Sequence, residues 1–214
     1  MLIKAIMENK VNILYFSDPL CSYCWGSELI LRTIKDEFRD LISVEYRMGG
    51  LMPDWSMFDG KEEGPALVAN HWVEASHHIG FQIDGDVWRE DPPASSYPPS
   101  IAFRAAVLQG EDKGLRFYNI MREGFFHRKV NIARRENLLK AAAKAKLDIE
   151  VFTNDLEGRG KDEFEKDLKL AASLEVDLFP TYIFSNASGK RIRLAGFIGF
   201  DQLSRTIKDL LDSK

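Results

Sequence analysis

No apolar run in the sequence approaches the roughly 18 residues needed to span a bilayer, so no membrane-crossing helix is expected. Charge of one sign is also scarce: 29 Lys and Arg stand against 33 Asp and Glu, for a net charge of -4. That balance argues against a nucleic-acid surface. The first residues, MLIKAIMENKVNILYF, lack an apolar stretch followed by a small-residue cleavage site, so no secretory leader is expected and the expected location is the cytoplasm. Internal repeats and low-complexity tracts are missing. Cysteine is limited to two residues, Cys21 and Cys24. In a reducing compartment, where structural disulfides do not persist, a close pair of this kind is more often catalytic or metal-binding.

What the chain does have is 214 residues, 45% of them hydrophobic and 11% aromatic, enough for a sizeable core in one elaborated domain or two small ones. Residues 11–16, VNILYF, form a short apolar run rich in strand formers, and Ser17, Asp18 and Pro19 stop it. From Ser22 the period changes. Leu29, Ile30, Thr33, Ile34 and Phe38 recur at helical spacing, which predicts a helix starting at or just after Cys21 with those side chains inward. Residues 42–48, ISVEYRM, alternate as a second strand and end at Gly49 and Gly50. The three elements make a βαβ unit, whose connection should be right-handed.

Residues 65–174 then carry apolar side chains at helical spacing, broken by punctuation. Pro98 and Pro99 before Ile101, with Gly110 after Leu108, give the proline-first, glycine-last signature of a helix. Residues 84–99, with four prolines, read as a loop. Strand character returns at residues 181–184, and a turn cluster at 185–189 joins it to alternation at 191–195, a hairpin. An amphipathic helix follows at 200–211. The expected order is βαβ, an all-helical insertion, then ββα: an α/β chain divided as residues 1–60, 61–174 and 175–214.

A C-x-x-C at a strand-to-helix junction puts the first sulfur at a helix N-terminus, where unpaired N–H groups and the positive end of the helix dipole favour thiolate over thiol. The thiolate is the nucleophile of thiol–disulfide exchange. Cys21 is thus placed to attack a disulfide, and Cys24, one turn inside, to resolve the mixed disulfide. Two other readings compete. Half of a zinc site would need further ligands, and His71, His77, His78 and His127 lie far off in sequence. Two idle buried thiols would need a coincidence of spacing and βα setting.

Pro180 stands at the start of the strand expected from residue 181, an awkward place for a trans-proline in a central ladder. Together with DPLCSYCWG at 18–26, the stretches MGGLMP at 48–53, HWVEASHHIGF at 71–81, FYNIMREGFF at 117–126 and FPTYIF at 179–184 carry a resemblance. The chain resembles the DsbA-like thiol–disulfide oxidoreductases, near the FrnE-like and other protein-disulfide-isomerase-like members. The resemblance covers most of the chain and implies a thioredoxin-like fold carrying an inserted helical domain. It implies Cys21 as nucleophile, Cys24 as resolving cysteine, and Phe179, Pro180 and Thr181 as the substrate-binding loop. Pro180 would be cis, with Phe179 offering backbone groups to a bound peptide.

The resemblance further implies that Ser22 and Tyr23 tune reactivity and redox potential, with Trp25 beside them. The pair differs from the Pro-His of the strongly oxidising periplasmic members. Tyr15 stands where thioredoxin has a buried acid. The implied activity is dithiol–disulfide exchange with protein or peptide thiols, or with small thiols such as glutathione, without metal or organic cofactor. Relatives sharing the fold offer alternatives. Kappa-class glutathione transferases and 2-hydroxychromene-2-carboxylate isomerases use glutathione and generally carry a single catalytic Ser or Cys, and a bacterial adaptor hands a transcription factor to a protease.

Around this centre, Trp25 is expected to pack at the rim. Met52, Trp55, Met57 and Phe58 are candidates either for an exposed apolar patch that accepts varied partners or for packing against the helices. Arg128, Lys129, Arg134 and Arg135 read as a solvated face.

Overall fold

The computed structural model describes residues 10–58 and 64–213. Residues 1–9 of the stretch read for a leader, and the expected boundary at residue 60, lie outside them. β1 (Val11–Ser17) buries Val11, Ile13 and Tyr15 and then both faces of its last turn of pleat, as a central strand does. It leads into α1 (Ser22–Phe38) and returns as β2 (Ile42–Met48), which pairs parallel with β1, Val11 opposite Ile42. β3 (Thr181–Ser185) lies antiparallel on the other side of β1, Ile13 opposite Phe184. β4 (Arg191–Ala195) pairs antiparallel with β3, so the sheet order is β2-β1-β3-β4. Because β1 is central, the cysteine turn opens at the middle of the sheet's end, beside the start of β3.

Between β2 and β3 run α2 (Gly64–Ile79), α3 (Val87–Glu90), α4 (Tyr97–Val107), α5 (Glu111–Arg128), α6 (Arg135–Lys144), α7 (Ile149–Glu157) and α8 (Arg159–Ser173). α9 (Phe200–Asp212) follows β4 and buries Leu203, Ile207 and Leu210 at three- and four-residue spacing. Local chemistry sets several starts. Pro98 and Pro99 occupy the first turn of α4, where missing N–H groups cost nothing, and the Asp148 side chain caps α7 by accepting the Val151 N–H at 3.1 Å. Trp72 clamps α2 to α5, stacked on Phe126 at 4.6 Å and edge-on to Phe125 at 4.9 Å. Side chains of the sheet and of these helices form a large hydrophobic core, and a second, smaller cluster holds Phe16, Cys21, Cys24, Ala171, Val176 and Phe179.

Packing corrects some expectations. On α1 the inward residues are Leu31, Ile34 and Phe38, whereas Leu29 and Thr33 are exposed. The first turns bury Ser22, Gly26 and Ser27 instead, because α2 approaches so closely that a Cβ on Gly26 would lie 3.0 Å from Ile79 Cβ. A buried arc of small residues carries no hydrophobic signal. Residues 84–99 are not all loop: α3 lies there, with Val87 and Trp88 buried and the prolines outside it. Met52 is core, its N–H donating to Ser96 Oγ at 3.0 Å, and Trp55 is half-buried, edge-on to Trp88. The side chains of Met57 and Phe58 lie outside the described residues. The basic run is a solvated face, as expected, and its side chains form exposed ion pairs there, Arg128 with Glu123, Lys129 with Asp86 and Glu90, Arg134 with Asp91 and Arg135 with Glu157.

The chain leaves β2 through two glycines, Gly50 at a φ of +68° and Gly49 with no room for a side chain. A Cβ on Gly49 would lie 2.0 Å from the Phe179 ring. Gly49→Ala should therefore lower the urea midpoint by an amount worth about 1–3 kcal/mol, the usual cost of overpacking. An unchanged midpoint would show that the Phe179 ring moves aside freely.

Candidate active site

Asp18, Pro19 and Leu20 make the turn between β1 and α1, and the Asp18 side chain organises it. Its Oδ1 accepts the Leu20 N–H at 2.9 Å, its Oδ2 accepts the Leu51 N–H at 2.8 Å, and its carbonyl accepts the Cys21 N–H at 3.2 Å. The carboxyl is fully buried, and burial pushes it up to about 6 against the opposing pull of the Leu20 and Leu51 N–H groups, Ser96 and Arg122. A raised carboxyl contributes stability that is present below its unfolded value of 3.8 and is lost as pH rises through about 6. At about 1.4 kcal/mol per pH unit the effect approaches about 3 kcal/mol. Urea midpoints should therefore rise between pH 7 and pH 5 more in the wild type than in Asp18→Asn; parallel profiles would refute the assignment.

Cys21 is the N-cap of α1 (φ -77°, ψ 115°), and its Sγ accepts the Cys24 N–H at 3.1 Å. The motif's own first helical turn thus supplies a donor to its first sulfur. Both thiols are free; Cys21 is 6% exposed and Cys24 wholly buried. Burial, with Cys21 alongside, pushes the Cys24 thiol well above its usual range, while Arg122 pulls the other way.

The Phe179–Pro180 peptide bond is cis, and the Phe179 carbonyl oxygen lies 3.6 Å from Cys21 Sγ, accepting from the thiol. Tertiary structure thereby joins the loop before β3 to the cysteine turn. Thr181 is fully buried and its hydroxyl donates back to the Leu178 carbonyl at 2.7 Å, so that side chain serves the loop itself. Ser22 is buried, and Tyr23 is half-buried at the mouth. Trp25 stacks on Phe126 at 5.1 Å, packed at the rim.

Three residues at the site were missed or misplaced by sequence reasoning. His71 and His78 are seven apart on one face of α2, and that face meets the motif, their rings 5.8 Å and 5.7 Å from the Tyr23 ring. His78 Nδ1 lies 3.5 Å from the Tyr23 hydroxyl. Their seven-residue spacing was the available signal. Asp18 is the third: the buried acid beside the cysteines stands in the turn and not at Tyr15, whose fully buried phenol donates to the Cys24 carbonyl at 3.4 Å. Among the described residues, no three His, Cys, Asp or Glu side chains converge to hold a metal ion.

A groove of about 450 Å³ opens at Cys21, walled by Leu51, Leu67, Val68, Trp72 and Leu178. Leu67 and Leu178 are 51% and 52% exposed.

The sequence profile described as Thioredoxin matches residues 14–204. The chain belongs to the thioredoxin family. This thioredoxin-family protein is 33% identical to the ClpXP adapter protein SpxH of Halalkalibacterium halodurans, over 99% of its own length and 71% of the relative's. Solved structures share the fold at lower identity. A Nitrosomonas europaea protein named as a protein disulfide isomerase superposes with a TM-score of 0.79 at 19% identity, covering 95% of this chain and 97% of that one. The cytosolic disulfide reductase DsbM of Pseudomonas aeruginosa superposes with a TM-score of 0.70 at 20% identity, covering 94% and 95%. The fold of this thioredoxin-family protein is α/β and of the DsbA-like kind, with helices between β2 and β3. Among its described residues no helix is long and apolar enough to cross a membrane.

Proposed function

We propose that this thioredoxin-family protein is a dithiol–disulfide oxidoreductase acting on protein or peptide disulfides in the cytoplasm. One observation carries the reading: Cys21 Sγ faces both the Cys24 N–H at 3.1 Å and the Phe179 carbonyl at 3.6 Å. The Cys21 thiolate attacks one sulfur of the substrate disulfide, a new S–S bond forms, and the other substrate sulfur leaves as thiolate and takes up a proton. Cys24 then loses its proton and attacks Cys21 Sγ, which expels the remaining substrate thiolate and closes the Cys21–Cys24 disulfide. Two electrons have passed to the substrate, and an external thiol of the glutathione class restores the dithiol. Where a substrate thiol resolves the intermediate in place of Cys24, the outcome is isomerisation. The assay is insulin disulfide reduction; a Cys21→Ser chain with full activity would falsify the reading.

The groove supports substrates with apolar residues beside the reactive cysteine. Leu67→Asp with Leu178→Asp should raise KM for an apolar-flanked peptide disulfide about tenfold to a hundredfold, the loss expected for two exposed leucine contacts, with little change in kcat. Glutathione disulfide, which has no large apolar side chain to set against these leucines, should lose much less.

A second reading is favoured by the likeness to a protein named as a ClpXP adapter. There the same groove would hold a protein partner without chemistry at sulfur. A chain carrying both Cys21→Ser and Cys24→Ser would then bind that partner as tightly as the wild type does.

A further inference from the structure

Arg122, on α5, is a wholly buried cation that the exchange chemistry described above does not use. Its guanidinium sits 4.6 Å from the Tyr118 ring, 5.3 Å from the Trp25 ring and 5.7 Å from the Phe126 ring. Among the described residues its one ion pair is Nη1 to Glu28 Oε1 at 3.3 Å. Trp25 directly follows Cys24, and Glu28 lies one turn beyond Cys24 on α1, so Arg122 grips the helix in the turn just after the second cysteine. Aromatic faces hold a cation in place without cancelling its charge. In a site this dry, such a charge acts over several ångströms with little screening.

We propose that Arg122 is the positioning residue whose charge readies Cys24 to attack a mixed disulfide held on Cys21. The inference rests on the redox reading of the pair. Cys24 must become an anion inside the protein to attack, and a nearby buried cation that is only partly neutralised offsets the cost of burying that charge. Arg122 already opposes the upward push of burial on the Cys24 thiol. The other titratable groups facing the pair are Cys21 and Glu28 on α1, Tyr15 on β1, Asp18 in the turn, Tyr182 on β3 and Tyr118 on α5. Burial keeps the phenols protonated, so the carboxyl groups near the pair are those of Glu28 and Asp18. Glu28 also accepts from Tyr46 on β2 at 3.1 Å, and Lys35 reaches that hydroxyl at 3.4 Å, so its carboxylate only partly neutralises Arg122.

Dithiobis(nitrobenzoate) separates the two steps on the reduced full chain. Cys21 attacks the reagent, forming Cys21–S–S–nitrobenzoate and releasing one coloured thiolate. Deprotonated Cys24 then attacks Cys21 Sγ, closes the disulfide and expels the second. In a chain combining Arg122→Met with Glu28→Gln, the first release should keep its rate while the second slows at least about tenfold at pH 7 and recovers about a pH unit higher. Arg122→Lys, which keeps the charge, should restore the second release to within about threefold of wild type. Glu28→Gln alone, which leaves Arg122 in its cage, should accelerate it, and decides the matter even if the double variant loses the first release through misfolding. A wild-type second release in the double variant overturns the proposal, as does slowing in Glu28→Gln, which would make Glu28 the proton acceptor. A wild-type chain that releases only one equivalent overturns the redox reading instead.

Discussion

Cys21→Ser should lower the rate of insulin disulfide reduction by at least about a thousandfold, the scale seen when a catalytic nucleophile is removed. A serine hydroxyl at the same helix end remains protonated at neutral pH, so neither the Cys24 N–H at 3.1 Å nor the helix terminus can make it a competent nucleophile. Cys24→Ser should behave differently. Attack by Cys21 survives, but nothing inside the protein expels the substrate, and the adduct persists. Mass spectrometry without reductant should find one substrate chain bound per protein in Cys24→Ser and none in Cys21→Ser. Equal turnover by both variants would mean that the chemistry lies elsewhere.

Asp167→Ala should cost about 3 kcal/mol of stability, the lower end of the range for breaking a buried ion pair. The Asp167 side chain, on α8, is wholly buried, pairing with Arg47 Nη1 at 3.0 Å and Arg104 Nε at 3.4 Å. Its Oδ2 also accepts the Met48 N–H at 3.0 Å. Alanine would leave Arg47 and Arg104 facing each other with a backbone donor orphaned between them. Arg104 keeps Glu163 at 3.3 Å, which is why the lower end applies. The measurement is the urea midpoint at constant transition slope. Because Met48 leads directly into Gly49 and the Phe179 ring, part of the loss should also appear as slower attack by Cys21 in the surviving folded fraction.

Strand and helix boundaries were legible because they are written in short-range patterns. The apolar run at 11–16, the alternation at 42–48 and the turn cluster at 185–189 each describe a few consecutive residues and their own backbone preferences, and β1, β2 and the hairpin of β3 and β4 follow them. The helix start at Cys21 was legible for the same reason: the N-cap is itself the first cysteine. Legibility failed where burial is decided by a partner. Leu29 and Leu31 are interchangeable to a hydrophobic count, and only the packing of α1 into the core leaves Leu31 buried and Leu29 exposed. Trp88 lay hidden among prolines because four helical residues are too few to show a period.

The sequence by itself determined the element order, the α/β class and the placing of Cys21 and Cys24 at a helix start, since these depend on local periodicity and on glycine and proline chemistry. Only the tertiary structure decided what surrounds the two sulfurs. The Phe179–Pro180 loop lies beside Cys21 because β3 pairs with β1, His71 and His78 reach Tyr23 because α2 packs against α1, and Asp18 is pushed up and Arg122 opposes the push on Cys24 because the packed core buries them. Charge and proximity at a buried site are properties of the whole packed core, and no window of neighbouring residues carries them.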